Sequence, residues 1–226
     1  MTSVSAVEGY RLWAETWDAT PSPIVALEHR TLLPWIEPWI EPWIESLAPC
    51  RAIDVGCGTG RWTARLPAIG VDASPAMLAV AARKEGLRGR LAVADAAALP
   101  VASGSADLVL CALTFGHIRD QAGALREFAR VLQPGGTLIV SDFHPDATAR
   151  GWRRTFRSNG QVYELENHPY TVPQLCEMSR ELSLTGVVEA NIGEPERELF
   201  HRAGRPDLFA AACATPAVLL ARWVRV

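Results

Sequence analysis

Lysine and long hydrophobic runs are scarce in this sequence. Lys84 is the only lysine among 22 lysine and arginine residues, so chemistry based on an active-site lysine would depend on one residue of a predicted exposed helix. Schiff-base enzymes and phosphate-binding loops that need a lysine are therefore disfavoured. No stretch approaches the roughly 18 apolar residues that a membrane span requires. Glu8, Arg11 and Glu15 interrupt the apolar N-terminal residues, unlike a signal peptide.

Paired cysteines and an excess of positive charge are missing as well. The five cysteines are scattered without a C-x-x-C pair, which predicts reduced thiols in a cytoplasmic protein rather than disulfides or structural zinc. No carboxylate cluster indicates a metal site. The formal net charge of −3 disfavours a nucleic-acid partner. A chain of 226 residues is long enough for one α/β domain with a substantial core.

The most informative segment is residues 52–60, where an apolar run ends in a turn that contains Gly56, Gly58 and Gly60. Glycines let the backbone approach a ligand without an intervening Cβ. Such a turn lies at the carboxyl end of a strand, where open α/β sheets bind ligands. Asp72 and Asp95 each end a later apolar run. We therefore expect buried parallel strands that point both carboxylates into one crevice.

The element order predicts a mainly parallel sheet with helices on both faces. Two helices, at about residues 5–18 and 23–47, precede the sheet as a helical cap over residues 1–47. The predicted strands are Ala52–Val55, Ile69–Asp72, Arg90–Ala94, Leu108–Ala112, Thr137–Asp142, Val187–Ile192 and Val218–Val226. The predicted helices between them are Arg61–Leu66, Pro75–Arg83, Gln121–Val131 and about Val172–Leu182. Ser74 and Pro75 are typical of a helix start.

These ordered motifs, with Asp54 before the glycine turn and Gly135-Gly136 before the fifth strand, resemble a class I S-adenosylmethionine-dependent methyltransferase. The small-molecule group, similar to the ubiquinone-biosynthesis C-methyltransferases, matches best over about residues 50–145. The resemblance implies a Rossmann-like, seven-stranded sheet with an antiparallel last strand. It also implies S-adenosylmethionine as cofactor and transfer of its methyl group to an O, N or C atom of a small organic acceptor.

Two other functions stay open. A nicotinamide-dependent oxidoreductase would carry Gly-x-Gly-x-x-Gly, whereas here a single residue separates the second glycine from the third. The tyrosine–lysine pair of short-chain dehydrogenases is also missing around Tyr163. A non-catalytic module that only binds S-adenosylmethionine would carry the same motifs, and an assay is needed to distinguish it from an enzyme.

The resemblance also implies a cofactor site. The glycine turn would run beneath the methionine and ribose of the cofactor, and Asp72 would accept hydrogen bonds from the ribose hydroxyls. Asp95 would bind the adenine amine, and capping of the turn at Ala96–Leu99 is a competing alternative. Met77 would pack on the adenine, or fill the core. The implied site comprises Tyr10, Trp17, Asp54, Gly56, Cys57, Gly58, Asp72, Ala73, Met77, Asp95, Ala96, Ala112, Leu113 and His117.

Histidines are the obvious bases for deprotonating a phenol or alcohol acceptor. His117 and His144 follow the fourth and fifth strands, and His168 lies in the long connection 145–171. A structural role is the alternative for each, because loop histidines are more often structural than catalytic. We take His117 and His144 as the candidate catalytic residues.

Long connections flank the predicted site. Asn159-Gly160 predicts a hairpin within residues 145–171, and residues 194–216 form a second insertion. We expect these two segments and residues 1–30 to cover the site as a lid, within one domain that spans residues 1–226 and acts as a monomer or homodimer. The tandem Pro-Trp-Ile-Glu repeat at residues 34–45 is interpreted as a duplication in a packing helix rather than a protein-binding patch.

Overall fold

The computed structural model describes residues 1–45 and 51–226, with the backbone alone for residues 41–45. The strands in this part of the chain are β1 (Thr2–Val4), β2 (Ala52–Val55), β3 (Ala68–Asp72), β4 (Leu91–Val93), β5 (Ala106–Ala112), β6 (Leu132–Phe143), β7 (Thr155–Ser158), β8 (Gln161–Leu165), β9 (Leu182–Asn191) and β10 (Pro216–Arg225). The α-helices are α1 (Ala6–Trp17), α2 (Pro23–Glu45), α3 (Pro75–Ala81), α4 (Gln121–Val131), α5 (Pro145–Ala149), α6 (Val172–Met178), α7 (Arg197–Arg202) and α8 (Phe209–Cys213).

Seven strands form the central sheet in the order β4-β3-β2-β5-β6-β10-β9. The five strands from β4 to β6 run parallel, and β10 runs antiparallel to both β6 and β9. The predicted Rossmann-like sheet with an antiparallel last strand is therefore confirmed. Because parallel strands end at the same edge, the loops after β2, β3 and β5 meet there.

Helices cover both faces of this sheet, because successive side chains of a strand point to opposite sides. Ile53 and Val55 of β2 join the cluster that packs under α4 and α6, whereas Ala52 faces the cluster under α2. Leu108 and Leu110 of β5 join the α2 side. Continuous apolar strands are thus buried on both faces, as the sequence pattern predicts. No helix within the described ranges is long and apolar enough to cross a membrane.

A second, three-stranded sheet has the order β1-β8-β7. The predicted hairpin is present: β7 and β8 pair antiparallel through Asn159 and Gly160, whose φ values of 49° and 76° are those of a tight hairpin turn. Strand β1 pairs parallel with β8, with Val4 opposite Leu165. The sequence does not predict β1, because a three-residue strand carries too little periodicity to detect.

Residues 61–66 form consecutive turns instead of the predicted helix. Pro67 ends the segment, and the Arg90 guanidinium donates to the carbonyl oxygens of Thr63, Leu66 and Ala68. These carbonyls are thereby satisfied without another helical turn. The predicted helix after residue 172 also ends earlier, at Met178, since β9 begins only four residues later.

The Pro-Trp-Ile-Glu repeat lies within α2, which continues through Pro38 and Pro42 to Glu45. Trp35 and Trp39 pack against the hydrophobic cluster on the α2 face of the sheet, and the Arg222 guanidinium lies 5.3 Å from the centre of the Trp35 ring. Trp43, the tryptophan of the third copy of the repeat, is among the residues whose side chains the structure does not describe.

Candidate functional site

A cleft of about 790 Å³ lies at the carboxyl ends of β2, β3 and β5, beneath α1 and the β7–β8 hairpin. Every residue that the sequence analysis assigns to the cofactor lines this cleft. These residues are Tyr10, Trp17, Asp54, Gly56, Cys57, Gly58, Asp72, Ala73, Met77, Asp95, Ala96, Ala112, Leu113 and His117. The structure thus brings together side chains that are more than 100 positions apart in the sequence.

Asp72 connects the glycine turn to the start of α3. Its Oδ2 accepts the Gly58 N–H at 2.8 Å, and its Oδ1 accepts the Ser74 N–H at 2.7 Å. Burial raises the pKa of this carboxyl, and these two backbone N–H groups oppose the rise. Each oxygen of a carboxylate has two lone pairs, so Asp72 can still accept one hydrogen bond on each oxygen. That is the capacity needed for two adjacent hydroxyls.

Asp54 lies below the turn, with 2% of its surface exposed. Its Oδ2 accepts the hydroxyl proton of Thr63 at 2.6 Å. Burial raises the pKa of Asp54 to about 6, against the opposing effect of the Thr63 hydrogen bond. The carboxyl therefore fixes the glycine turn from beneath, and most of its surface is not available to a ligand.

Gly56 and Gly58 both have positive φ values, of 70° and 56°, but a side chain would meet different neighbours at the two positions. A Cβ on Gly56 would lie 2.1 Å from Cγ2 of Thr114, whose hydroxyl donates to the Gly56 carbonyl at 3.1 Å. A Cβ on Gly58 would meet only Cε of Met77, at 3.1 Å. Gly56 thus lets the turn pack against the loop after β5, and Gly58 keeps the wall of the cleft open.

Asp95 is exposed and caps the turn that follows it. Its Oδ1 accepts the Ala97 N–H at 2.8 Å, which is the alternative weighed in the sequence analysis. Its second oxygen makes no hydrogen bond among the described residues, and the side chain lines the cleft. Met77 is buried, and its side chain forms part of the same wall. Its backbone N–H donates to the Ser74 side chain, which caps the start of α3 as predicted.

His117 is held by three partners at the far end of the cleft. Its Nδ1 lies 2.8 Å from the Glu166 carbonyl oxygen, so Nδ1 carries the proton and donates it. Its Nε2 lies 2.8 Å from Nη1 of Arg154 and 3.2 Å from the Tyr10 hydroxyl. Burial, with the positive charge of Arg154, lowers the pKa of His117 to about 3. The imidazole is therefore neutral, and its lone pair is already engaged.

His144 lies elsewhere and does not line the cleft. It is buried at the start of α5, where its Nδ1 accepts the Asp146 N–H at 3.1 Å and caps the helix. Its Nε2 lies 3.4 Å from Oε1 of Glu189. The structure therefore gives His144 a capping function, and of the two candidate bases it brings only His117 to the site.

Arg154 is a site residue that sequence analysis misses. Its side chain is 8% exposed, lines the cleft, and forms an ion pair with buried Asp142 at the end of β6. Its Nη1 donates to the Leu113 carbonyl at 2.8 Å, and its guanidinium lies 4.5 Å from the centre of the Phe143 ring. No sequence signal marks this residue, because its position depends on how the β7–β8 hairpin folds back over the sheet.

Two of the three predicted lid segments cover the cleft. Trp13 of α1 stacks on Phe156 of β7 at a centroid distance of 4.7 Å, so the N-terminal segment and the hairpin form one cover. The structure does not bring residues 194–216, all of which it describes, to the cleft. Phe200 and Phe209 pack instead into the cluster beneath α2, and Glu196 pairs with Arg30 at 2.8 Å.

A second cavity of about 640 Å³ adjoins the first. Arg154 and Phe143 line both cavities and form part of the wall between them. Among the described residues, no group of three or more His, Cys, Asp or Glu side chains is arranged to hold a metal ion.

Comparison with known proteins relates this architecture to a family. Residues 53–140 match the family described as "Methyltransferase domain". The chain is 42% identical over 108 residues to the demethylmenaquinone methyltransferase of Thermus thermophilus, covering 43% of this chain and 49% of that protein. It is 32% identical over 170 residues to malonyl-[acyl-carrier protein] O-methyltransferase 1 of Coxiella burnetii, covering 72% of this chain and 55% of that protein. The chain thus spans about half the length of these relatives.

The fold is also similar to that of solved structures. The crystal structure of an S-adenosylmethionine dependent methyltransferase from Mesorhizobium loti matches with a TM-score of 0.58 and 21% identity, covering 84% of this chain and 97% of that one. At this identity the match describes the fold alone. The matched domain includes the glycine turn, Asp72 and Asp95, which line one cleft. Residues 53–140 thus form a methyltransferase domain, within a fold that the chain shares with a solved S-adenosylmethionine dependent methyltransferase.

Proposed function

We propose that this protein transfers the methyl group of S-adenosylmethionine to a small organic acceptor. The observation that carries the proposal is Asp72, whose two oxygens are fixed by Gly58 and Ser74 and each have one lone pair left. This arrangement fits the two hydroxyls of a ribose. Asp95, with one free oxygen, and Met77 line the adjoining wall, where an adenine amine and ring would be bound.

The sulfonium cofactor supplies the reactive methyl group, so the protein needs to contribute placement and exclusion of water. Gly58 provides the open wall for the cofactor, and Asp72 fixes its ribose. The adjacent residues Leu113 and Thr114 connect this part of the cleft to Arg154. The Thr114 hydroxyl donates a hydrogen bond to the Gly56 carbonyl, and the Arg154 guanidinium donates one to the Leu113 carbonyl. The acceptor therefore has its place between the glycine turn and Arg154.

We further propose that residues 1–30 and 145–171 form the lid of this site within a single domain. Tyr10, Trp13 and Trp17 of α1 line the cleft from above, and the stack of Trp13 on Phe156 fixes the helix to the hairpin. An apolar cover of this kind excludes water from the reacting atoms. We also propose a cytoplasmic location, on the basis of the scattered cysteines, and a monomeric or homodimeric state.

The relatives support a small acceptor without identifying it. The names of the two matched relatives place their acceptors in different chemical classes, one a menaquinone precursor and the other a malonyl group on a carrier protein. The acceptor of this chain is accordingly proposed only as a small organic molecule or the reactive end of one.

Calorimetry and a methyl-transfer assay test the proposal. We expect S-adenosylmethionine and S-adenosylhomocysteine to bind with micromolar affinity and NAD not to bind. Transfer of a labelled methyl group to members of a panel of phenols, carboxylates and amines should follow. Binding of NAD alone would contradict the proposal, and tight S-adenosylmethionine binding with no transfer to any acceptor would favour a non-catalytic binding module.

A further inference from the structure

Arg154 is a buried cation for which the proposed cofactor site has no evident use. Its side chain is only 8% exposed and has therefore lost most of its hydration, so it needs compensating partners. Asp142 supplies one, and its own carboxylate is fixed by the N–H groups of Gly116 and Phe143. Asp142 is 1% exposed and lines neither cavity, whereas Arg154 lines both. The pair therefore presents its positive end to the cleft.

The Arg154 guanidinium has unused hydrogen-bonding capacity. Nη1 is engaged by the Leu113 carbonyl and by His117 Nε2, and Asp142 contacts Nη2. Nε is buried and makes no hydrogen bond among the described residues. An arginine has five N–H donors in a fixed planar arrangement that matches a carboxylate. A ligand oxygen placed against this side chain would supply the partner that Nε lacks among the described residues.

The surroundings of Arg154 describe the rest of that ligand. Phe143 packs against the guanidinium, and Tyr10, Trp13 and Trp17 line the same cleft. The Tyr10 hydroxyl lies 3.2 Å from His117 Nε2, next to the Nη1 that donates to the same nitrogen. Tyr10 can therefore offer its proton to a second oxygen of a ligand bound at Arg154. The walls are aromatic, and Arg154 places a cation at this end of the cleft.

We propose that Arg154 is the specificity-determining residue for the acceptor, and that the acceptor is an apolar molecule with a carboxylate. This inference rests on the proposed function and adds the acceptor's chemical class. Asp142 acts as a positioning residue that orients Arg154. When the carboxylate oxygen takes the methyl group, the sulfur–methyl bond breaks, an oxygen–methyl bond forms, and the negative charge of the acceptor cancels the sulfonium charge. No proton leaves, so no histidine base is required.

The test uses protein saturated with S-adenosylhomocysteine and two ring-sized probes, 2-naphthoate and its uncharged isostere 2-naphthamide. Calorimetry first measures S-adenosylhomocysteine binding and then the affinity for each probe. We expect the wild type to bind naphthoate at least about tenfold more tightly than naphthamide, as a charge-assisted hydrogen bond implies. Equal affinities, or no saturable naphthoate binding at millimolar concentration, would overturn the inference.

Three variants assign the preference to Arg154. The double variant Arg154→Met with Asp142→Asn removes the ion pair without leaving a buried carboxylate, and should bind both probes equally. Arg154→Lys keeps the charge without the planar donors, and should keep part of the preference. Arg157→Met removes an exposed arginine of the same hairpin that lines neither cavity, and should keep the whole preference.

Two results separate this inference from the proposed function. If S-adenosylhomocysteine does not bind the wild type, the proposed function fails, whatever the probes do. If it binds and the naphthoate preference survives in the double variant or is unchanged in Arg154→Lys, only the acceptor assignment fails. Should the double variant not fold, as judged by its thermal melt, Arg154→Lys decides, with reduced preference supporting the inference and full preference opposing it.

Discussion

Arg154 and His117 share a hydrogen bond of 2.8 Å between Nη1 and Nε2, which fixes the histidine in its neutral form. A cation that donates to a ring nitrogen excludes protonation of that nitrogen, and burial adds to the effect. The pKa of His117 is lowered to about 3 by burial, by Arg154 and by nearby His168, against the opposing Glu166 carbonyl. The histidine therefore serves as an acceptor for Arg154 rather than as a free base.

The depressed pKa of His117 predicts a pH-dependent stability. The unfolded chain binds a proton at this residue below its ordinary pKa of 6.5, whereas the folded chain does not until about pH 3. Neutral His117 therefore causes no loss of stability above pH 6.5. As the pH falls from 6.5 toward 3, the free energy of unfolding decreases by at most about 1.4 kcal/mol per pH unit. Urea unfolding of the wild type and of His117→Gln at pH 7, 6 and 5 measures this.

The expected result is that the wild type loses more free energy of unfolding than His117→Gln between pH 7 and pH 5. The comparison isolates His117 because Asp54, whose raised pKa of about 6 has the opposite effect on stability over this range, is present in both proteins. Parallel pH profiles for the two proteins would contradict the neutral-histidine assignment.

Asp72 and Asp95 should differ strongly in their contribution to cofactor binding. Asp72→Ala removes two acceptors for ribose hydroxyls, each charge-assisted hydrogen bond contributing about 1.5–3 kcal/mol, and so should raise the dissociation constant of S-adenosylhomocysteine by about 100-fold or more. Asp95→Ala removes one exposed oxygen and should raise it by less than about tenfold. Calorimetry on both variants provides the comparison, and equal effects would mean that the ribose carboxylate is misassigned.

The strands and the glycine turn could be predicted because their signals are local. β2 has the predicted bounds, Ala52–Val55, and α4 has the predicted bounds, Gln121–Val131. Each element has an apolar run or a helical period of its own, and a residue that ends it. The positions of Gly58 and Asp72 follow from this order, because parallel strands place their carboxyl ends at one edge.

The residues around the proposed acceptor could not be predicted in the same way. Arg154 contacts His117 across 37 positions, and this contact depends on tertiary packing, in which β1 pairs with β8 of the hairpin and Arg154 pairs with Asp142 of β6. Phe200 and Phe209 illustrate the converse case. An aromatic residue suits a lid or a core equally well, and only packing against α2 assigns these two to the core.

Substitution by alanine should have different consequences at Gly56 and at Gly58. Ala at either position carries a left-handed backbone cost of about 1–2 kcal/mol. Gly56→Ala would add a collision with Thr114 at 2.1 Å, and so should lower the free energy of unfolding by clearly more than Gly58→Ala does. Gly58→Ala should fold but lose affinity for S-adenosylhomocysteine, because its methyl group enters the cleft. Urea unfolding and calorimetry measure the two effects, and a Gly58→Ala protein with unchanged affinity would refute its proposed function in the wall.

The lid should respond to ligands as one unit. Strand β1 pairs with β8, Trp13 stacks on Phe156, and the Ser158 hydroxyl lies 3.4 Å from the Leu12 carbonyl oxygen. The helix α1 contacts the body of the protein through exposed ion pairs, Asp18 with Lys84 at 2.8 Å and Glu15 with Arg83 at 2.7 Å. Such exposed pairs contribute at most about 1 kcal/mol each, so α1 can open locally while the sheet stays folded. The hairpin is held more firmly, by the buried ion pair of Arg154 with Asp142.

Hydrogen exchange tests this arrangement directly. With S-adenosylhomocysteine and 2-naphthoate bound together, backbone amides in residues 1–30 and 145–171 should exchange more slowly than in the free protein. Residues 194–216 provide the internal control, because they pack beneath α2 and should keep their exchange rates. Trp13→Ala should speed exchange in both α1 and the hairpin, since it removes the stack between them. Protection confined to the glycine turn, or equal protection of residues 194–216, would contradict the proposal that residues 1–30 and 145–171 form a lid that closes over bound ligands.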